Sequence, residues 1–329
     1  MNQNYQYYAH LKDFLNSQLS QQTRVTIKLN QEETKEDDVK SLSQNLVECN
    51  NLTALNLIFQ WNEVQLSDIQ TLGLALQNCL KLSTLKLSLG GNQIGAEGIQ
   101  ILSSSLSKCK NLSRLNLLLH STKLGNEGAL HLSTDLSNCT NISNLELYLM
   151  ANQIGSQGAS DLALSLSKLS NLSQIKLSFY DNKIGALGAR NIGKAISNFA
   201  HLSNLDLYLG NNLIATVGIV GFSSFLKNWT KISNLKLDIR GNQIGDEGAL
   251  SVCQGLAQCK NLIALQLIVE NNNIQNQGAQ NLYYVLEKCT NLCILQIQIC
   301  FNGIDLQNRI TLRKKLKKMK KLVKQYIIF

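Results

Sequence analysis

The sequence has 329 residues, of which 44% are hydrophobic and 16% are charged, a balance that excludes a disordered chain. It contains no proline, which excludes collagen-like chains and proline-rich linkers. The formal charge of +9, from 31 basic and 22 acidic residues, favours an acidic partner such as nucleic acid or a membrane surface unless the charge is local.

The N-terminus has neither a basic start nor a long apolar run, and no later stretch approaches the roughly 18 apolar residues of a membrane span. We therefore expect a soluble protein of the cytoplasm. The first predicted element is a helix with the apolar residues Leu11, Phe14, Leu15 and Leu19. A degenerate strand at 25–29 follows it, and residues 1–49 are predicted to form an N-terminal cap.

Residues 50–304 repeat with a period of 30 residues, and apolar residues alternate at spacing two within each repeat. This alternation predicts a short strand with one buried face. The first of the three buried positions holds Leu55, Leu85, Leu115, Leu145, Ile175, Leu205, Leu235, Leu265 and Leu295. The other two positions follow two and four residues later.

An asparagine follows each strand, except where Thr122 replaces it. Because an amide both donates and accepts, a stack of asparagines is expected to satisfy the backbone of turns buried between repeats. Two glycine positions come next, the first suited to a sharp turn into a helix and the second to close packing of neighbouring helices. The stripe of Ala129, Leu132, Leu136 and Cys139 then predicts a helix.

The nine cysteines are best explained by the same repeat. Six of them occupy one position of the 30-residue period, which Leu169, Phe199, Trp229 and Met319 also occupy. A position that accepts all these types is selected for apolar volume, so we expect reduced, buried thiols. No closely spaced cysteine pair suggests a metal site, and we predict neither a metal nor another cofactor.

Residues 305–329 are predicted to form a basic capping helix and a last strand. Nine of the 31 basic residues lie between Arg309 and Lys324, which leaves 22 to balance the 22 acidic ones. Leu312, Leu316 and Met319 form an apolar stripe on this helix, so the lysines are expected to face water. Strands that start near residues 25, 55 and so on to 325 number eleven.

The consensus N-L-S-x-L-x-L-x-L-x-x-N-Q-I-G-x-x-G-A-x-x-L-x-x-x-L-x-x-C resembles the leucine-rich repeat of the ribonuclease-inhibitor-like class, over about residues 20–329. The resemblance implies an α/β solenoid, a horseshoe with parallel concave strands and convex helices. Each repeat buries its apolar face only against its neighbours, so residues 1–329 are predicted to form a single domain.

Outward positions of the strands are not constrained by packing, so their variety indicates where a partner binds. The predicted partner-binding residues of the concave face are Tyr148, Met150, Tyr180, Tyr208 and Arg240. Tyrosine, methionine and arginine are enriched at protein interfaces. The alternative is that the tyrosines only pack on one another across an exposed sheet.

The basic helix supplies a second candidate surface. Its predicted members are Arg313, Lys314, Lys315, Lys317, Lys318, Lys320 and Lys321. One interpretation is a solubilising cap. The alternatives are contact with RNA, tubulin or an anionic lipid surface, or a nuclear-import signal.

The sequence has no nucleophile motif, and none of its histidines lies beside a paired carboxylate or thiol, so nothing indicates catalysis. The glycines of residues 90–98 recur in every repeat, which favours a structural role over a phosphate-binding loop. We therefore predict no catalytic residue, no small-molecule substrate and no enzyme. The predicted function is a protein-binding scaffold or regulatory subunit, which the resemblance extends to a cytoskeletal or ciliary assembly. The alternative that the resemblance implies is a GTPase-activating protein similar to the Ran type.

Overall fold

The computed structural model describes residues 5–29, 37–289, 291–317, 319 and 322–329. Its strands are β1 Gln6–Tyr8, β2 Arg24–Lys28, β3 Ala54–Ile58, β4 Thr84–Ser88, β5 Arg114–Leu118, β6 Asn144–Tyr148, β7 Gln174–Ser178, β8 Asn204–Tyr208, β9 Asn234–Asp238, β10 Ala264–Ile268, β11 Ile294–Gln298 and β12 Lys324–Ile328. Its helices are α1 Leu11–Leu15, α2 Asp38–Leu46, α3 Leu66–Asn78, α4 Gly95–Leu106, α5 Gly125–Leu136, α6 Ser156–Leu166, α7 Gly185–Ile196, α8 Ala215–Ser223, α9 Gly245–Leu256, α10 Asn276–Leu286 and α11 Leu306–Lys317.

The chain divides into two compact units. The first comprises the residues up to Gln153 together with Leu169–Leu172, and the second comprises Ile154–Lys168 and the residues from Ser173 onwards. In the first unit β1 to β6 pair in chain order, and in the second unit β7 to β12 do the same. Every one of these pairings is parallel.

The predicted α/β leucine-rich-repeat fold is confirmed, because a helix follows each strand of the regular repeats. Residues at the same position of consecutive repeats lie opposite each other in neighbouring strands, as Leu87 of β4 does to Leu117 of β5. Alternate strand positions point inward and are almost completely buried, as at Leu115 and Leu117. A parallel strand connected through a helix needs a crossover of about a dozen residues, which the 30-residue period provides.

The predicted asparagine stack is also confirmed. The buried Asn152 accepts hydrogen bonds at Oδ1 from the backbone N–H groups of Thr122 and Leu124, at 2.9 and 3.2 Å. Its Nδ2 donates to the carbonyl oxygen of Leu119 at 2.6 Å. Thr122 interrupts the series, and its hydroxyl, which has one proton, donates either to the carbonyl oxygen of Leu119 or to Oδ1 of Asn152.

The two glycine positions have the expected roles. Gly95, Gly125, Gly185 and Gly245 start their helices at φ between +62° and +64°, where a side chain is strained. At the second position, a Cβ added to Gly218 of α8 would lie 2.6 Å from Cα of Ala186 in α7. These two helices therefore pack backbone against backbone.

The N-terminal cap differs from the prediction. The predicted helix that includes Leu19 is in fact the short α1, which ends at Leu15, followed by one 3₁₀ turn at Leu19–Gln21. The described residues contain twelve strands rather than eleven, because Gln6–Tyr8 pairs with β2 as an additional strand. This strand lies outside the 30-residue repeat, so the period gave no indication of it.

At the C-terminus, the predicted helix and last strand are both present as α11 and β12. Leu312 and Leu316 are buried as predicted, while Met319 is half-buried. No helix among the described residues has both the length and the apolar character that crossing a membrane requires.

Candidate interaction surface

The outward face of the strands, defined as the first, third and fifth positions of β2 to β12 together with the position two residues beyond each of these strands, differs from the inward face in composition. Inward positions hold buried aliphatic residues and phenylalanine. Outward positions hold tyrosine, histidine, lysine, arginine and acidic residues, most of them partly exposed. The repeat therefore leaves the outward side chains available for recognition in each unit.

In the second unit, Tyr208 lies between two lysines of neighbouring strands. The Nζ atoms of Lys176 and Lys236 lie 5.5 and 5.0 Å from the centroid of its ring, within the range of a cation–π interaction. The three side chains line an open concavity of about 380 Å³, together with Asp206 and Gln266. Two flanking lysines fix the orientation of the aromatic ring while it stays half-buried.

Tyr180 and Arg240 converge over Gly210, on the strand ends beside Tyr208. A Cβ at Gly210 would lie 2.8 Å from the Tyr180 ring and 2.9 Å from Cγ of Arg240, so only glycine leaves room for both. Asn211 donates a hydrogen bond to the hydroxyl of Tyr180 at 2.9 Å. Three of the predicted partner-binding residues, Tyr180, Tyr208 and Arg240, thus lie in one region of the second unit.

Arg240 is held in place by two carboxylates. Its Nε lies 2.9 Å from the buried Asp238, and its second guanidinium arm lies 2.8 Å from Glu270. Burial opposes the charge of Arg240, but the hydrogen bond and charge of Asp238, with the charge of Glu270, outweigh it and raise the pKa of the guanidinium. Arg240 is therefore a fixed, permanently charged group with about a third of its side chain exposed.

Tyr148 and Met150, the other two predicted residues, lie half-buried on the outward face of the first unit. The hydroxyl of Tyr148 donates a hydrogen bond to Glu146 at 3.0 Å. Asn116 donates to the same carboxylate oxygen at 2.9 Å. A polar network thus orients the tyrosine from the side of β5.

The same unit holds an aromatic pair that sequence reasoning missed. Trp61 and His120 face each other with ring centroids 6.0 Å apart and an angle of 55° between the rings. The ring of Trp61 covers Gly91, and that of His120 covers Gly90. Trp61 is 52% exposed although it is one of the largest apolar residues in the chain. The signal in the sequence was a tryptophan at a loop position where the other regular repeats, apart from the one with Phe301, have small or polar residues.

Two cations of the basic helix contact aromatic rings, which the sequence did not predict. The guanidinium of Arg313 lies 5.3 Å from the ring of Phe329, and Nζ of Lys315 lies 4.6 Å from the ring of Tyr284, so both cations contribute to packing. Arg313 is nevertheless exposed, as predicted, whereas Lys315 is half-buried. Lys314 and Lys317 are exposed. Lys318, Lys320 and Lys321 lie outside the described residues.

The cysteines are reduced thiols, and most are buried. Burial raises the pKa of Cys259 to about 12 and that of Cys109 to about 11, so these thiols stay protonated and unreactive at neutral pH. Besides the predicted apolar packing, these thiols make hydrogen bonds. Sγ of Cys109 donates to the carbonyl of Leu76 at the end of the preceding helix. The described part of the chain contains no group of three or more His, Cys, Asp or Glu side chains placed to bind a metal.

Two parts of the sequence, residues 81–103 and 231–253, match the sequence profile described as leucine rich repeat. With the 30-residue strand–helix unit, these matches support a leucine-rich repeat protein; the ribonuclease-inhibitor-like subclass stays a prediction. No curated protein matches the sequence.

The solved structures similar to this chain include an internalin and a part of leiomodin-1. An internalin from Listeria monocytogenes has 19% identity and a TM-score of 0.43, with 89% of this chain and 88% of that chain covered. Actin-binding site 2 of leiomodin-1 has 16% identity and a TM-score of 0.35, with 42% of this chain and 77% of that chain covered.

Proposed function

We propose that this protein is a non-catalytic scaffold that binds a partner protein through the outward face of its strands. The observation that carries the proposal is the cluster of Tyr180, Tyr208 and Arg240, in which each side chain is fixed by its neighbours and still partly exposed. Tyrosine and arginine contribute a large share of the binding energy at protein interfaces.

Fixing these side chains before binding lowers the entropic cost of association. Immobilising a flexible side chain on binding costs about 0.5–1.5 kcal/mol. Arg240 is immobilised in advance by Asp238 and Glu270, and Tyr208 by Lys176 and Lys236. A partner that contacts the cluster therefore loses little free energy to the ordering of these groups.

The more specific form of the proposal is a regulatory subunit of a cytoskeletal or ciliary assembly in the cytoplasm. On the first unit, the proposal adds the predicted residues Tyr148 and Met150 of its outward face. Imaging of the tagged chain in its own cells tests the location: a signal outside such assemblies contradicts this specific form and leaves the scaffold proposal standing.

The scaffold proposal is tested by cross-linked affinity capture with matched variants. The double variant Tyr180→Ala with Tyr208→Ala should reduce the captured partner by about tenfold or more. Tyr284→Ala is the control, because Tyr284 is an exposed tyrosine of the same unit that lies on helix α10 instead. Equal capture by all three proteins contradicts binding through the outward face.

A further inference from the structure

The outward face of the first unit carries an unassigned surface around the Trp61–His120 pair. We propose that this surface binds an acidic segment of a partner protein, which places a large apolar side chain against Trp61. The inference rests on the proposed scaffold function and names the chemistry of its partner.

The aromatic pair is held in an exposed position by its backbone. Trp61 adopts φ of +59°, a left-handed conformation that its repeat equivalents Gly91 and Gly241 also adopt. A tryptophan there is strained, and burial in the core does not compensate for it. Gln60 approaches Nε2 of His120 at 3.4 Å and steadies the opposite ring. Burial lowers the pKa of His120, so that this ring is neutral at pH 7.

Apolar side chains continue from the pair across three strands. Ile58 of β3 and Leu118 of β5 lie on either side of Ser88, their common neighbour in β4. Ser88 is buried between them, so the two aliphatic side chains flank a shallow depression in the outward face. Tyr148 lies opposite Leu118 and extends the row. Such a surface fits the apolar side chain of a bound segment.

Charge decides which segment fits. The described outward positions of β2 to β6 carry four cations, Arg24, Lys28, Lys86 and Arg114, against the single acid Glu146. Glu146 is already engaged by two hydrogen bonds. A positive surface attracts acidic partners and raises their rate of association.

The second unit provides an internal comparison. Its described outward positions carry four cations, Lys176, Lys236, Arg240 and Lys324, and three acids, Asp206, Asp238 and Glu270. The excess of positive charge is thus three in the first unit and one in the second. We therefore assign the acidic segment to the first unit.

A protein segment fits this surface better than RNA does. Backbone phosphates are bound by rows of cations, and sequence-independent binding of single strands needs a positively charged groove along the strand. Here Lys86 lies between Asn56 and Asn116, and Arg114 lies opposite Thr84. The neighbouring row is aliphatic at Ile58 and Leu118.

The test is selection of peptides from a random display library on the whole chain, followed by affinity measurements on the enriched sequences. The expected consensus has acidic residues flanking a Phe, Trp or Leu, and its affinity should fall steeply with salt. Trp61→Gly should weaken binding by about 30-fold, the loss expected at an interface tryptophan. Lys86→Gln with Arg114→Gln should weaken it by about tenfold and flatten the salt dependence.

Two matched variants act as controls. Phe301→Gly removes an exposed aromatic residue from the same repeat position in the second unit, at φ of +54°. Lys176→Gln with Lys236→Gln removes two outward cations of that unit. Both should leave the affinity unchanged. In the wild type, bound peptide should also alter the fluorescence of Trp61, because Trp229 is buried and the chain has two tryptophans.

Each other outcome overturns the inference. Enrichment of neutral or basic peptides, failure to enrich any peptide, or an unchanged Trp61 emission contradicts it. Tight binding of a homopolymeric RNA that depends on Trp61 assigns the surface to nucleic acid instead. Peptides that depend on Tyr180 and Tyr208 but not on Trp61 would contradict this inference and still support the scaffold proposal, which the capture experiment tests separately.

Discussion

Replacing Asn242 by alanine should destabilise the second unit far more than a surface asparagine does. Asn242 is 1% exposed. Its Oδ1 accepts hydrogen bonds from the backbone N–H groups of Asn212 at 2.9 Å and Ile214 at 3.2 Å. Its Nδ2 donates to the carbonyl oxygens of Leu209 at 2.9 Å and Ile239 at 3.0 Å.

The magnitude follows from which groups keep a partner. The carbonyl of Leu209 still accepts from Nδ2 of Asn212, and that of Ile239 still accepts from Nδ2 of Asn272. The two N–H groups have no other acceptor among the described residues. A buried donor left without a partner costs about 1–3 kcal/mol, so the two together predict a loss of about 2–6 kcal/mol in the free energy of unfolding.

Urea unfolding measures this loss, with the emission of Trp229 and circular dichroism as two probes. Trp229 belongs to the same unit and is buried, so its emission reports local unfolding of the neighbouring repeats. The control is Asn261→Ala, because the side chain of Asn261 makes one exposed hydrogen bond, to Thr230. A loss below about 1 kcal/mol for Asn242→Ala, or one equal to the control, would refute the reasoning.

Three further predictions concern other positions of the repeat pattern. Thr122→Asn should stabilise the first unit by about 1 kcal/mol in urea unfolding, since its Oδ1 would accept from the backbone N–H of Ile94 as that of Asn152 accepts from Leu124; a lower midpoint would contradict this. Gly218→Ala should destabilise the second unit by about 1–3 kcal/mol, because the new Cβ meets the backbone of Ala186; an unchanged midpoint would show that α8 shifts freely. The raised pKa of Cys259, about 12, favours the protonated thiol in the folded state. The unfolded chain ionises it first, so stability should fall as pH rises above about 9, and Cys259→Val should reduce that slope.

The interior of the fold was predictable because the repeat samples each position many times. Nine repeats agree that the position of Leu115 is aliphatic, so spacing alone gives the strand, its inward face and its register with the next strand. The roles of the asparagine and the two glycines followed in the same way. The additional strand Gln6–Tyr8 was missed because it occurs once and has no repeat to define it.

The outward face was predictable only in part. Composition identified Tyr180, Tyr208 and Arg240 as residue types suited to an interface. The fixed position of Arg240 depends on Asp238 and Glu270, and these carboxylates meet Arg240 only once the strands are in register. Cysteine was likewise assigned by volume, whereas Cys109 also donates a hydrogen bond to the preceding helix, a contact that follows from the helix positions.

The two candidate surfaces are each built around a glycine of the outward face. At Gly90 and at Gly210, the outward position beyond the strand has no side chain, and residues of the flanking repeats occupy the space. His120 fills it in the first unit, and Tyr180 and Arg240 fill it in the second. A side chain at either glycine would separate the groups that now converge. The inward positions of the regular repeats are all buried and apolar, so we expect recognition to arise where an outward position departs from the others, and these two glycines are such departures.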